Sequence, residues 1–417
     1  MSRRARVIGA GMAGLSAAVE LTRAGFAVSV SDGAAQAGGR CRSYHDPQLD
    51  RVIDNGNHLV LSGNEAVAQY LGTIGARDRL AGPDQAEFDF ADRRTGERWA
   101  FRPSAGRLPW WIFSKARRVP GTRAADYLRL AALTRAAPGQ TVAERIATDG
   151  VIWERLLEPV LLAALNTAPE DGDATLTAAI INQTLGRGGR AMRPRIAEPT
   201  LAAAFVDPAL DWLARNDTRV TLKQRLRTLR FEGDRVVAID FGSGEEAVAP
   251  DETIILAVPP WIAEGLVPDL TVPDDYRAIV NAHFAYVPPA GAAPMIGVIG
   301  GTAEWIFAFS DRLSVTVSAA DRMIDTDRAD LAAAFWADIA AIHNLPPELP
   351  RWQIVKEKRA TFAATPEQER RRPPSQTRWR NLFLAGDWTQ TGLPATIEGA
   401  LQSGATAARL AQAARLV

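Results

Sequence analysis

Apolar and polar positions change their period repeatedly along the chain. Val7-Ile8 is a short apolar strand, Gly9 to Gly14 a glycine-rich turn, a helical period runs to about Ala24, and Ala27-Val28-Ser29-Val30 alternates. That order predicts a βαβ unit. From Ala76 to Arg195 the period turns helical, as in AADYLRLAALTRAA and WERLLEPVLLAALN, broken by proline and arginine-rich turns. From Arg219, TRVTLKQRLRTLRFEGDRVVAIDF alternates across a Gly-Asp turn and ETIILAVPPW reads as a buried strand. Within 263–351, MIGVIGG and EWIFAFSDRLSVTVSAAD predict antiparallel strands ahead of a helix at ADLAAAFWADIAAIH. NLFLAGD then runs as a strand into a glycine, followed by a helix from about Pro394. The pattern predicts a discontinuous α/β nucleotide-binding domain of residues 1–75, 205–262 and 352–417. A second, α+β domain is inserted as residues 76–204 and 263–351.

Composition narrows the function classes. A chain of 417 residues, 47% hydrophobic and 23% charged, folds and has room for two domains. Its formal net charge is zero, which argues against nucleic acid as a partner and makes any basic patch local. The single cysteine, Cys41, excludes an internal disulfide and a thiolate-clustered zinc site, as expected for a reducing cytoplasmic compartment. His45, His58, His283 and His343 lack metal-ligand spacing, so no metal is expected. RVIGAG begins within a few residues of the start, and no apolar run reaches about 18 residues, so neither a signal peptide nor a membrane span is expected.

Three motifs carry chemistry. Gly9, Gly11 and Gly14 form G-x-G-x-x-G between strand and helix, with Met12 and Ala13 in the helix's first turn and Asp32 closing the second strand. Gly9 permits the turn, Gly11 lets backbone approach a pyrophosphate, Gly14 lets helix pack on strand, and Asp32 accepts ribose hydroxyls. A purely structural glycine turn is the alternative. Directly afterwards, GAAQAGGRCRS offers Gly38 and Gly39 for close backbone approach and Arg40 for a phosphate, where the alternative is a surface turn. A nicotinamide site does not need this second turn, so it favours FAD over NAD. Near the C-terminus, Gly386 and Asp387 end a buried strand and Pro394, Ala395 and Thr396 lead into a helix. Asp387 is placed for ribityl hydroxyls and the helix N-terminus for a flavin pyrimidine, against the alternative of an ordinary capped helix.

VIGAGMAGLSAAVELTRAGFAVSVSDGAAQAGGR with LFLAGDWTQTGLPATIEGALQSG resembles the flavin amine oxidase and phytoene desaturase superfamily. GGRCRS, IDNGNHLVLSGN, LLAALNTAPE and AGDWTQTGLPATIEGA resemble, more narrowly, the squalene-associated FAD-dependent desaturases, a family of hydroxysqualene dehydroxylases in hopanoid biosynthesis. The resemblance implies a discontinuous Rossmann-like FAD domain of amine-oxidase type with an inserted substrate domain. It implies that Asn55, Gly56, Asn57 and His58 run along the flavin face. It also implies replacement of the hydroxyl of hydroxysqualene, an apolar C30 isoprenoid, by hydrogen, with an external reductant for the flavin. His58 is the best-placed titratable group for proton donation or positioning. The alternative is that Asn55 to His58 only hydrogen-bond the isoalloxazine. Glu170 and Arg40 are weaker candidates for the same role.

This chain departs from the family at Asp32, where glutamate is usual, and at Asn57, where glutamine is expected. Amine oxidases of the superfamily use a lysine near the flavin, and no lysine lies between Lys223 and Lys356. Cys41, beside the glycine turn, is badly placed for a thioether to the flavin, which implies non-covalent FAD. A carotenoid or polyene desaturase or isomerase on the same scaffold, and a non-catalytic lipid carrier, are the rivals. Finally, RLPWWIFSKARR sets Trp110, Trp111, Ile112 and Phe113 beside Lys115, Arg117 and Arg118. This is either a peripheral contact with the inner face of a membrane or part of the substrate-domain core.

Overall fold

The computed structural model describes residues 3–414. The strands β1 (Arg4–Ile8), β2 (Ala27–Ser31), β3 (Arg219–Thr221), β4 (Glu252–Leu256) and β5 (Leu382–Leu384) form one sheet in the order β3-β2-β1-β4-β5. Every pairing in it is parallel, with Val7 opposite both Val30 and Ile255. Parallel strands covered on both faces need unbroken apolar runs, and all residues of β4 and β5 are buried. Three stretches far apart in sequence therefore share one sheet.

The principal helices are α1 (Met12–Arg23), α2 (Glu65–Ile74), α3 (Arg328–His343) and α4 (Ile397–Ala413). Alanines on α1 and α4, among them Ala17, Ala18, Ala407, Ala408 and Ala411, lie in one buried cluster. Small side chains let the helices close up. A Cβ on Gly404 would lie 2.1 Å from the Ala13 carbonyl oxygen, so α4 rests on the backbone of α1.

A second sheet of seven strands runs in the order Trp352–Phe362, Tyr276–Phe284, Leu313–Val317, Trp305–Ala308, Met295–Ile299, Phe88–Asp92, Arg98–Phe101. One hydrophobic cluster joins it to α3, with Phe284 and Trp336 at its centre. A separate aromatic cluster joins it to the helical segments between 124 and 165. MIGVI pairs antiparallel with Trp305–Ala308, as expected, but parallel with Phe88–Asp92. Residues 352–362, expected with the nucleotide domain, are instead an edge strand of this sheet, with Phe284 opposite Trp352 and Tyr276 opposite Phe362. The chain rejoins the parallel sheet only at β5.

Two predicted helices are broken. AADYLRLAALTRAA forms Ala124–Leu128 and Leu130–Leu133, and WERLLEPVLLAALN forms a wide π turn, Trp153–Leu157, before the helix Glu158–Leu165. Pro159 lacks the N–H that would continue α-helical bonding through that point, and the ladder widens ahead of it. The Trp110–Phe113 segment is a 3-10 turn that divides between core and surface. Trp111 and Ile112 are buried, with the Trp111 ring centroid 5.0 Å from Phe101 and 4.9 Å from Tyr127. Trp110 and Phe113 are each 68% exposed. Three residues per turn put 110 and 113 on one side. The expected membrane contact through Trp111 and Ile112 is therefore corrected: both belong to the core.

The contact between α1 and α4 generates a stability test. Gly404→Val forces new carbons into the α1 backbone and should destabilise by about 1–3 kcal/mol or more. Gly265→Ala, in the helix Pro260–Leu266 with nothing within 4 Å of the added carbon, should cost nothing or stabilise slightly. Thermal melts of the two variants against the parent read the difference.

Candidate active site

β1 ends at Ile8, and the chain turns through Gly9 at φ +114°. A Cβ on Gly9 would lie 2.4 Å from the Ala257 oxygen, and one on Gly14 only 1.8 Å from the Gly9 oxygen. Strand, turn and helix thus touch through bare backbone. Gly11 is different: a Cβ there would meet nothing within 4 Å. It is the N-cap of α1, where no side chain caps the helix and the first turn, containing Met12 and Ala13, holds no acid. Uncapped N–H groups behind an open approach suit an anionic group.

Asp32 is engaged within the protein itself. Its Oδ2 accepts from the Ala10 N–H and its Oδ1 from the Ala34 N–H, both at 2.7 Å, fastening the glycine turn to the end of β2. The carboxylate is half-buried and keeps further lone pairs for a ligand. The second glycine turn lies directly on the first. The Gly38 N–H donates to the Ala10 oxygen at 2.7 Å, and a Cβ on Gly39 would sit 3.3 Å from Gly11 Cα.

From that turn Arg40 reaches across to the far elements. It donates to the Ala360 carbonyl and to Asp387 Oδ2, each at 2.6 Å. Its side chain is surrounded by protein yet 42% accessible, as expected of a group lining an internal cleft. Burial opposes its charge, but the Asp387 carboxylate more than offsets this and raises its pKa. Arg40 and Asp387, assigned from sequence to different parts of the cofactor, meet each other here. Cys41 beside them is buried, and desolvation pushes its thiol up to about 12. It is a protonated, unreactive thiol.

The Gly386–Asp387 turn is held from several sides. The Gly386 N–H donates to Ser403 Oγ at 2.8 Å, and Thr389 Oγ1 donates to the Gly386 oxygen at 2.9 Å. Arg372, fully buried, donates to the Asp387 oxygen and to Thr391 Oγ1 while pairing with Glu369. Sequence reasoning missed it because it sits in a run of arginines that looks solvated. The C-terminal helix starts later than expected. Thr396 is its N-cap, accepting from the Gly399 N–H at 3.0 Å, and Pro394 lies two residues before the cap, not in the first turn. Threonine's ability to accept from a backbone N–H decides the start over proline's preference for N1. Ala395 is half-buried between them. Glu398 accepts from the N–H groups of Ala66 and Val67, both at 3.0 Å, so α4 caps α2.

The DNGNH segment is anchored through its first residue. The buried Asp54 carboxylate accepts from Ser43 Oγ at 2.6 Å and the Leu201 N–H at 2.9 Å, with Arg312 Nη2 at 3.5 Å. Its carbonyl faces His283 Nε2 at 3.0 Å, and His283 Nδ1 lies 2.8 Å from Ser314 Oγ. A carbonyl only accepts, so Nε2 carries the proton and Nδ1 accepts from the serine. Burial and the Arg312 charge lower His283 to about 3, leaving it neutral.

Asn57 is likewise tied to the seven-stranded sheet. Its side-chain nitrogen donates to Thr316 Oγ1 at 3.0 Å and the Val315 oxygen at 3.3 Å, and its N–H to Asn281 Oδ1 at 3.3 Å. Only its Oδ1 remains buried without a partner. Gly56 packs against Asn281, and Asn55 donates to Glu357 Oε2 at 3.2 Å. Glu357 comes from the strand Trp352–Phe362, as does Ala360, so that strand supplies two groups to the cleft that no local motif marked. His58 is half-buried, and burial with the nearby Arg40 charge lowers it to about 4. Glu170, in a short turn at 169–171, is half-buried and is not among these partners.

The model for flavin containing amine oxidoreductases matches residues 12–411. The chain belongs to this flavin amine oxidoreductase family. It is 51% identical over 416 residues to hydroxysqualene dehydroxylase of Rhodopseudomonas palustris, covering 99% of both chains. Identity to hydroxysqualene dehydroxylase of Sinorhizobium fredii is 49% over 411 residues, again 99% of both. An oxidoreductase from Methanosarcina mazei has the same fold at a TM-score of 0.72 with 14% identity, over 97% of this chain and 99% of the other. In this flavin amine oxidoreductase Lys356 donates to the carbonyls of Ile324 and Thr326, and its neighbour Lys358 is exposed.

The neutral, buried His283 makes stability depend on pH. Its folded pKa lies below the ordinary value of 6.5, so the unfolded chain binds the extra proton. The stabilisation is complete above pH 6.5 and lost progressively as pH falls toward 3, at up to about 1.4 kcal/mol per pH unit for this proton. Denaturant midpoints measured across that window should fall with pH for the parent. The slope should be shallower for His283→Gln.

Proposed function

We propose that this protein replaces the hydroxyl of hydroxysqualene by hydrogen, forming squalene and water at the expense of non-covalently bound reduced FAD. The observation that carries the reading is the near-half identity, end to end, to two hydroxysqualene dehydroxylases. The donor set fits the cofactor. The open N-terminus of α1 at Gly11 suits a diphosphate, and the spare lone pairs of Asp32 suit a ribose. The Arg40–Asp387 pair lines the cleft between them and the Asn55–His58 segment. When bound, reduced FAD supplies the hydride.

The protein's own work is positioning and protonation state. Neutral at pH 7, His58 offers a hydrogen bond and not a stored proton, so we assign it to holding the flavin or the departing oxygen. Asp54, Asn57 and His283 fix the segment that carries it, and Cys41 stays protonated and uninvolved. Amine oxidation is disfavoured by the tied Lys356.

Purified protein, reduced FAD and hydroxysqualene mixed anaerobically should yield squalene. Unchanged alcohol, or a product with additional double bonds, would overturn the reading in favour of a carrier or a desaturase. His58→Ala should retain FAD and lose roughly 10²-fold in turnover, on the scale of a removed hydrogen-bond donor. Its rate should keep the parent's pH dependence between about pH 5.5 and 8, since His58 titrates near 4. Loss of a titrating limb in the variant would instead make His58 the proton donor.

A further inference from the structure

The 3-10 turn at Trp110–Phe113 presents an apolar group to water. Leu108, Trp110 and Phe113 are 63%, 68% and 68% exposed, and the two aromatic rings lie 6.3 Å apart. Along the flanking sequence the charges are of one sign. Residues 103–125 carry five basic residues and no acidic one, and residues 174–197 carry four and none. The two stretches are joined through backbone: the N–H groups of Gly189 and Arg190 donate to the oxygens of Ser104 and Ala105, at 2.8 and 3.1 Å. Arg107 also donates to the Gly186 oxygen at 3.2 Å. Lys115, Arg117 and Arg190 are exposed, while Arg187 is paired with Glu65. Since the whole chain is neutral, everything outside these stretches holds a surplus of nine acidic residues.

We propose that this face docks on an anionic lipid bilayer, with Leu108, Trp110 and Phe113 entering the headgroup layer and Lys115, Arg117 and Arg190 meeting lipid phosphates. The indole of Trp110 has a polar N–H that favours the interfacial zone, Leu108 and Phe113 add apolar surface to bury there, and clustered cations are drawn to anionic headgroups. A neutral protein gains this attraction only by sorting its charge, as the acid-free stretches do. Contact is peripheral, since no helix of the described residues is long and apolar enough to cross a membrane. The assignment rests on surface composition and geometry, so it stands or falls separately from the identity of the substrate.

Flotation on a density gradient reads binding without turnover. The probes are vesicles of phosphatidylcholine with about 30% phosphatidylglycerol, vesicles of phosphatidylcholine alone, and buffer without lipid. The parent should float with the anionic vesicles, bind neutral ones at least ~10-fold less, and lose most binding near 0.5 M salt, where screening is strong. Trp110→Ser with Phe113→Ser, and separately Lys115→Glu with Arg117→Glu, should each cut anionic-vesicle binding at least ~10-fold. Both pairs change exposed side chains, so melting temperatures should stay at the parent value. Absence of flotation, equal flotation on both vesicles, or unchanged binding by the variants overturns the proposal. So does a dimer in lipid-free buffer that the aromatic variant abolishes, which would give the face to a second copy of the chain.

Discussion

The site depends on one close approach: α1 is clamped between the turn that precedes it and the C-terminal helix, with no room for a single carbon on either side. Gly14 closes on the Gly9 carbonyl and Gly404 on the Ala13 carbonyl. Both contacts are backbone to backbone, so position is set by covalent geometry and not by side chains that can repack. This holds the uncapped N-terminus of α1, the Gly38–Gly39 turn lying on it, and the start of α4 in one frame. Arg40 and Asp387 then bridge the two ends of the chain across the cleft.

The seven-stranded sheet completes the other wall. Its strands deliver Asn281, His283, Thr316 and Glu357, which hold the DNGNH segment by hydrogen bonds while leaving His58 half-buried and neutral. Function divides accordingly. The parallel sheet offers backbone N–H groups and a carboxylate, features suited to a dinucleotide. The second sheet fixes the orientation of the groups nearest the proposed chemistry. The exposed rings of Trp110 and Phe113 flank Trp111 and Ile112, whose side chains pack in the aromatic cluster against this second sheet.

Much of this was legible in the sequence where the reason is local. The βαβ period, the spacing of Gly9, Gly11 and Gly14, Asp32 at the end of β2, and the buried runs of β4 and β5 are read from residues close together. Non-local facts were not legible. Nothing in WQIVKEKRATF tells that it pairs with Tyr276–Phe284, so its Glu357 and Ala360 carried no motif. Arg372 and His283 act through partners more than a dozen residues away, Asp387 and Asp54. The Trp110–Phe113 segment mixed two fates because a 3-10 turn, with three residues per turn, puts 110 and 113 on the outer side and 111 and 112 toward the core. The helix start moved from Pro394 to Thr396 because the cap hydrogen bond outweighs the proline preference.

Function turns on electron transfer from a flavin held in this cradle to a hydroxylated C30 isoprenoid. Anaerobic single-turnover absorbance at the oxidised-flavin band tests it most directly. Reduced holoenzyme mixed with hydroxysqualene should regain the band, one flavin reoxidised per molecule of squalene formed, and squalene itself should leave the flavin reduced. A flavin that stays reduced in the presence of hydroxysqualene, or an oxidised enzyme bleached by it, would contradict the account.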